Sequence, residues 1–138
     1  MNVEKVELRP LTLEDYQMLR ATTDWVDLED DKVSSALERD LFSVCFHVDA
    51  EAVGMGRVVG DGAIYFYIQD VIVHPKCQGI GIGKLIMEKI MAFLQHSISG
   101  YAFIGLMAAE GVGGFYHQFG FRERSLDALG MYMVMNVE

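Results

Sequence analysis

Apolar residues recur along this chain at two spacings, and the switches between them mark its elements. Val3 to Arg9 alternates Val, Val and Leu with charge, the two-residue period of an edge or half-buried strand. Thr12-Leu-Glu-Asp15 then opens a helix, with a hydroxyl cap, acids in the first turn, and Leu13, Tyr16 and Leu19 along one stripe. Ala21 to Asp31 is loop-like and holds the only tryptophan, Trp25; Asp31 to Asp40 reads as a short helix carrying Val33 and Leu37. Leu41 to Val48 is strand-like with buried character, Asp49-Ala50-Glu51 a turn, and Val53 to Val59 the next strand. Gly54 and Gly56 inside that strand predict a bulge or close backbone packing. Gly60-Asp61-Gly62 is a hairpin turn, and Ala63 to Val73 is the longest predicted strand.

The period then changes. Ile82, Leu85, Ile86, Ile90, Phe93 and Leu94 fall at spacings of three and four, predicting a helix that ends near Ser97–Gly100. Tyr101 to Met107 is a strand, Gly111 to Gln118 a short helix that Gly120 terminates, Phe121 to Arg124 a short strand, and Met131 to Val137 a final alternating strand. The order β α α β β β α β α β β predicts antiparallel hairpins first. One strand–helix–strand unit follows, whose two strands lie parallel by the right-handed crossover rule.

Length predicts one domain over residues 1–138, able to bury a core without disulfides or metal. Hydrophobic residues make up 51% of the chain, which argues against disorder, yet no apolar run spans a bilayer. The N-terminal residues lack the apolar core of a signal peptide, so a cytoplasmic location is expected. The two cysteines, Cys45 and Cys77, show no metal-ligand spacing; Cys45, between Val44 and Phe46, reads as packing, and no metal is expected. A formal net charge of −9 without an evident basic face excludes a nucleic-acid binder. The acids cluster: Glu14, Asp15, Asp24, Asp27, Glu29, Asp30 and Asp31 face only Arg20 between Thr12 and Asp31. They read either as a solvated helix–loop face or as a field that attracts a cationic amine.

The chemistry concentrates in Asp70-Val-Ile-Val-His-Pro-Lys-Cys-Gln-Gly-Ile-Gly-Ile-Gly-Lys84. A β-branched strand feeds a loop with glycine at positions 79, 81 and 83, which opens a helix. Glycines let the backbone turn through positive φ, and free N–H groups at a helix N-terminus attract an anion such as phosphate. The dinucleotide pattern G-x-G-x-x-G fails in both registers, at Lys84 and at Ile86; the nucleoside-triphosphate loop fails at Leu85 and Gln78. Gln/Arg-x-x-Gly-x-Gly/Ala is met by Gln78, Gly81 and Gly83. With the preceding Asp-Val-Ile-Val-His-Pro and the later Gly-Phe-Tyr-His-Gln-Phe-Gly-Phe121, the chain resembles the GNAT superfamily of acetyl-CoA-dependent N-acetyltransferases, best from about Tyr65 to Phe121.

That resemblance implies a mixed α/β sheet of six to seven strands with helices on both faces and a splayed pair of parallel strands, about Tyr65–Val73 and Tyr101–Met107. It implies acetyl-CoA as co-substrate. The pyrophosphate would lie on Gln78, Gly79, Ile80, Gly81, Ile82, Gly83 and Lys84, and the pantetheine arm along the backbone of Val71, Ile72 and Val73. Tyr116 matches the tyrosine that helps the CoA thiolate leave and contacts the cofactor. An amine that arrives protonated also needs a base. Asp70, Glu110, Tyr65, Tyr67 and Asp24 are the candidates. Asp24 and Trp25, with Tyr65 and Tyr67, are expected at the acceptor site, although Trp25 also fits simple packing of the loop. His117 reads as a surface residue. A covalent route through Cys77 lacks a paired histidine, so direct attack by the amine is favoured. Three functions compete: acetylation of a small primary amine, acetylation of a protein or peptide amine, and a non-catalytic CoA-binding sensor. A homodimer is possible.

Overall fold

The computed structural model describes residues 5–137. Contacts divide the chain into two compact units, Met1–Met107 and Ala108–Glu138. In the first, the elements are β1 (Glu7–Arg9), α1 (Leu13–Arg20), α2 (Asp30–Leu37), β2 (Phe42–Val48), β3 (Glu51–Gly60), β4 (Tyr65–Val73), a 3-10 turn (Pro75–Cys77), α3 (Ile82–Ser97) and β5 (Phe103–Leu106). The second holds α4 (Gly113–His117). Among the described residues, no helix is long and apolar enough to cross a membrane.

The strands form one mixed sheet in the order β1-β2-β3-β4-β5, antiparallel except for the parallel pair β4–β5. Side-chain alternation along β3 sends its two faces to different helices. Met55 packs with Tyr16 and Leu19 of α1, Val33 of α2, and Cys45 and Ile72 of the sheet. Gly54 and Gly56 face α3. A Cβ on Gly54 would lie 2.8 Å from Ile82 Cγ2, and one on Gly56 2.7 Å from Ile86 Cγ2. The two glycines are therefore the seat of α3, the close packing predicted for them. Five residues of α3 are buried there or beside it, Ile82, Ile86, Met87, Ile90 and Leu94. Each contributes about 1.5–3 kcal/mol by leaving water. Thr12 caps α1 as predicted, its hydroxyl accepting from the Asp15 N–H at 3.2 Å.

Three expectations change. Val3 and Glu4 lie outside the described residues, and β1 covers three residues only. The longest strand is β3, with 10 residues, not β4, with 9, because β4 begins only after Asp61 has capped the hairpin. The Asp61 carboxylate accepts from the N–H groups of Ala63, Ile64 and Tyr65 at 2.8–3.0 Å, which lowers its pKa. Finally, among the described residues the sheet has five strands rather than six or seven. Phe121–Arg124 and Met131–Val137 are not strands: the first holds a single apolar residue and the second is apolar at six of seven positions, so neither alternates. Alternation states which face a residue would take, and a strand also needs a neighbour for its backbone groups.

Candidate active site

The site is built where β4 and β5 part. Their pairing runs from Tyr65–Phe103 to Ile68–Leu106 and stops, while β4 continues to Val73. At the same point β4 bulges against β3: the register passes from Arg57–Gln69 to Met55–Ile72, so that Gly56 faces both Asp70 and Val71. Asp70 takes φ +57°, a left-handed conformation unusual for a residue other than glycine. Beyond the bulge, the His74 N–H donates to the Val53 carbonyl at 2.8 Å. By alternation Ile72 also turns its backbone towards β3, whereas Val71 and Val73 turn theirs to the side that β5 has left. The Ile72 side chain lies in the core with Met55 and Tyr16. Of the three residues predicted to line a cofactor arm, Val71 and the Val73 N–H are open to it, the Val73 carbonyl accepts from the Gln78 side chain, and Ile72 is turned to β3.

A tight network holds the bulge. The buried Asp70 carboxylate accepts from the Tyr16 hydroxyl at 2.8 Å, from Arg57 Nη1 at 2.9 Å and from Gln69 Nε2 at 3.2 Å, and Arg20 Nη1 lies 3.6 Å away. Arg57 completes itself on Asp40, with Nη2 to Oδ1 at 2.7 Å, and its guanidinium lies 5.7 Å from the centre of the Tyr16 ring. Two carboxylates drive the Arg57 pKa still higher and outweigh the cost of burial. Burial, with Asp70 beside it, raises the pKa of Tyr16. Asp70, predicted as a base, thus accepts three hydrogen bonds and has a fourth neighbour, Arg20, at ion-pair distance. Arg57, Asp40, Tyr16 and Arg20 were missed as site residues. The available signal was Arg57, a cation within the apolar and glycine run of β3, which burial obliges to find carboxylates.

After β4 the chain turns through Pro75–Cys77 into the glycine loop. Gly79 and Gly81 have φ +85° and +95°, and a Cβ on either would meet nothing within 4 Å. They are needed for backbone conformation, and the space above them is free. Gly83 has no positive φ and lies inside α3. The first helical bond runs from the Leu85 N–H to the Gly81 carbonyl at 3.1 Å. Among the described residues, the N–H groups from Gln78 to Lys84 donate to no protein acceptor. They stand at the positive end of a sixteen-residue helix, beside the exposed Lys84. Two side chains of the loop turn away from it and leave their N–H groups behind. The Gln78 side chain turns back to donate to the Val73 carbonyl at 3.2 Å, and the Ile82 side chain is buried against Gly54, leaving only its N–H to the loop. Ile80 is half-buried. Cys77 is buried and free.

The expected acceptor residues divide. Tyr65 is exposed at the start of β4, its ring 6.2 Å from that of Phe103, and Tyr67, half-buried, has its pKa raised by burial. Trp25 does not offer a free face alone: Arg20 lies 5.5 Å from its ring centre and donates to the Val26 carbonyl at 2.9 Å. Asp24, Asp27, Glu29 and Asp31 are exposed, while Asp30 accepts from Gln17. Near β1, His47 bonds Asp15 at 2.9 Å beside Cys45, whose thiol is pushed up to about 12 by burial and Asp15 and so stays protonated at neutral pH.

In the second unit, Tyr116 of α4 is buried, with Phe115 and Phe121 edge-on to its ring at 5.0 and 6.2 Å. Burial raises its pKa, and its hydroxyl makes no hydrogen bond among the described residues. Gly120, at φ +95°, ends the helix as predicted, and His117 is exposed and bonded to Glu123. Glu110 is exposed.

Comparison with known proteins settles the family. Residues 40–123 match the model of the acetyltransferase (GNAT) domain. The chain belongs to the GNAT acetyltransferase family. The matched span runs from Asp40 through the bulge and glycine loop to α4. Among curated relatives, this GNAT chain is 41% identical over 69 residues to serotonin N-acetyltransferase 2, chloroplastic, of Oryza sativa subsp. japonica, covering 50% of this chain and 34% of the rice protein. It is 28% identical over 141 residues to the uncharacterized N-acetyltransferase ycf52 of Porphyra purpurea, covering 94% and 80%. The chain spans about a third to a half of the first two curated relatives it matches. A solved structure from meticillin-resistant Staphylococcus aureus, described as a probable acetyltransferase, is 32% identical, with a TM-score of 0.86 over 94% of this chain and 99% of that one.

Proposed function

We propose that this GNAT chain transfers an acetyl group from acetyl-CoA to a primary amine by direct attack on the thioester. The observation that carries this is the continuity of open backbone donors. Val71 and Val73 face the gap left by β5, and the unpartnered N–H groups of Gln78 to Lys84 follow at the N-terminus of α3. An amide-bearing arm that ends in a pyrophosphate requires that sequence of partners. The free space over Gly79 and Gly81 leaves room for the phosphates.

In this mechanism the loop and Lys84 bind the phosphates, and Val71 pairs with the arm and turns its N–H to the thioester oxygen, where negative charge develops on attack. Tyr116 donates a hydrogen bond from its hydroxyl to the departing sulfur, which leaves as the thiolate. Burial raises the pKa of Tyr116 and that of Tyr67, so both hydroxyls stay protonated at neutral pH and neither serves as the base. Asp70 is a positioning residue, since its buried carboxylate turns to Tyr16 of α1 and Arg57 of β3 and holds them, with Gln69, by hydrogen bonds. Water or the exposed Glu110 takes the proton of the amine.

The acceptor is proposed as a small cationic amine. The rice relative is named for serotonin, and the exposed acids Asp24, Asp27, Glu29 and Asp31 suit such a charge. The test is thiol release from acetyl-CoA across a panel of small amines, serotonin among them, and lysine peptides. Turnover with small amines is expected. Turnover with peptides alone would move the acceptor class to proteins, and CoA binding without any turnover would make the chain a sensor.

A further inference from the structure

Two side chains of α1 hold the loop that joins it to α2, and they differ in where their contacts end. Gln17 Nε2 donates to the Leu28 carbonyl at 2.8 Å and to Asp30 Oδ1 at 3.0 Å, so its bonds stop at the loop and the start of α2. Arg20 Nε donates to the Val26 carbonyl at 2.9 Å, and its guanidinium lies 5.5 Å from the centre of the Trp25 ring. The loop is also stiffened from within. The Thr22 and Thr23 hydroxyls donate to the Leu19 and Arg20 carbonyls at 2.6 and 2.7 Å, and Thr23 Oγ1 accepts from the Trp25 N–H at 3.1 Å. This segment carries the exposed Asp24 and Asp27.

Arg20 reaches the other way as well. Its Nη1 donates to the Tyr16 hydroxyl at 3.2 Å and lies 3.6 Å from Asp70 Oδ1, while Tyr16 and Arg57 bond the second oxygen of the same carboxylate. One planar group therefore has its Nε edge on the loop and its Nη1 end on the bulge. A guanidinium is rigid, so a shift of Trp25 and Val26 against one edge turns the plane and moves the other end. With the Arg20 side chain only 13% exposed, that end meets a buried carboxylate rather than water. Asp70 stands at φ +57° directly before Val71. The peptide plane between them carries the Val71 N–H, and its direction is set by the backbone angles of these two residues.

We propose that Arg20 is a positioning residue that couples the loop of residues 22–28 to the Asp70 bulge, so that an amine seated on the loop also fixes the Val71 N–H against the thioester oxygen. The catalytic half of this rests on the acetyl-transfer reading above; the coupling itself requires no turnover. Lysine does not replace the arginine, because one ammonium lacks the fixed fork that serves the Val26 carbonyl and the Tyr16–Asp70 pair together. The arrangement realises part of the binding energy of the amine only as charge develops on the oxygen, so a poorly fitting amine is rejected in kcat as well as in KM.

The test first reads the coupling without chemistry, in amide NMR spectra of the full chain. Trp25→Ala is expected to shift the Val71 amide resonance, and in an Arg20→Gln background the same substitution is expected to move it about threefold less or not at all. An equal shift in both backgrounds, or none in the unaltered one, overturns the inference. Should Arg20→Gln not fold, Arg20→Lys takes its place. Kinetics then separate coupling from loop packing. Arg20→Gln and Arg20→Lys are expected to slow single-turnover transfer at saturating amine by about tenfold or more, with CoA affinity unchanged. Gln17→Ala, which frees the loop without touching the bulge, is expected to raise KM for the amine and leave that rate within a factor of about two. A loss confined to KM in the Arg20 variants, or the same loss of rate in Gln17→Ala, makes Arg20 a packing residue and overturns the inference. A chain that turns over no amine removes the acetyl-transfer reading and leaves the Val71 shifts to decide the coupling.

Discussion

Gly81 offers a sharp test of the anion cradle, because two substitutions there disturb the backbone alike and differ only in charge. At φ +95° any L-residue is strained, by about 1–2 kcal/mol, and the entropy that glycine loses on folding returns about 0.5–1 kcal/mol of that. Gly81→Ala is therefore expected to cost about 1 kcal/mol of stability, with no clash, since a Cβ meets nothing within 4 Å. Gly81→Asp should cost no more, because aspartate tolerates this conformation better and Gly81 is the N-cap position. Binding separates them. A carboxylate about 5 Å from two pyrophosphate charges meets about 0.8 kcal/mol of repulsion from each at the dielectric of water and about 3 kcal/mol from each at an effective value near 20. The loop is exposed, so about 2 kcal/mol in total is expected, roughly a thirtyfold rise in Kd for CoA. Calorimetry on both variants, with thermal unfolding as the control, reads this directly. The gap between them should narrow as salt is added, since exposed charges are screened over about 10 Å at 0.1 M. Equal CoA affinity for Gly81→Ala and Gly81→Asp would remove the pyrophosphate from this loop.

Other expectations follow from single groups. Tyr116→Phe should slow single-turnover acetyl transfer by about a hundredfold, while CoA affinity by calorimetry stays within a factor of about two; an unchanged rate would make Tyr116 structural. Asp49 and Ala50 both have positive φ in the β2–β3 turn, so Ala50→Gly should stabilise the fold by about 1 kcal/mol, seen as a rise of about 3 °C in Tm. Burial raises the folded-state pKa of Tyr16 above its ordinary 10.0. The stability it gives is complete below pH 10 and is lost as pH rises through the folded value. Tyr16→Phe should lower stability at pH 7 through loss of the Asp70 bond and flatten the decline above pH 10 in denaturant titrations.

How far the sequence disclosed this site depends on which interactions set each piece. Gly79 and Gly81 were legible because their backbone demands glycine locally, and Gly54 and Gly56 because a helix lying that close admits no Cβ. Helix α3 and Thr12 were legible for the same reason: periodicity and a cap are local properties. The bulge at Asp70 was not, because an aspartate at positive φ is the product of contacts from α1 and β3, far away in sequence. Trp25 fits either an acceptor site beside the acids or packing of the loop, and the residue against its ring, Arg20, is placed by Tyr16 and Asp70 and so was not legible locally. The last two predicted strands are absent because one apolar residue in Phe121–Arg124 and an almost unbroken apolar run in Met131–Val137 define no single buried face, and no pattern names the neighbour a strand needs.

The buried network and the open backbone are two aspects of one arrangement. A left-handed aspartate costs about 1–2 kcal/mol, and a buried arginine without partners would cost more. Each justifies the other here: Asp40 satisfies Arg57 Nε and Nη2, but Nη1 finds a carboxylate only if Asp70 turns inward, which it does through the bulge. The same bulge rotates the chain so that Val71 faces the gap beside β5 and the pairing of β4 with β5 ends at Ile68. A regular strand would have carried the parallel pairing onward and consumed those backbone groups in the sheet. The donors proposed for the thioester and the pantetheine arm are thus free because a charge cluster on the opposite side of β4, from Tyr16 through Arg57 to Asp40, holds the strand out of register.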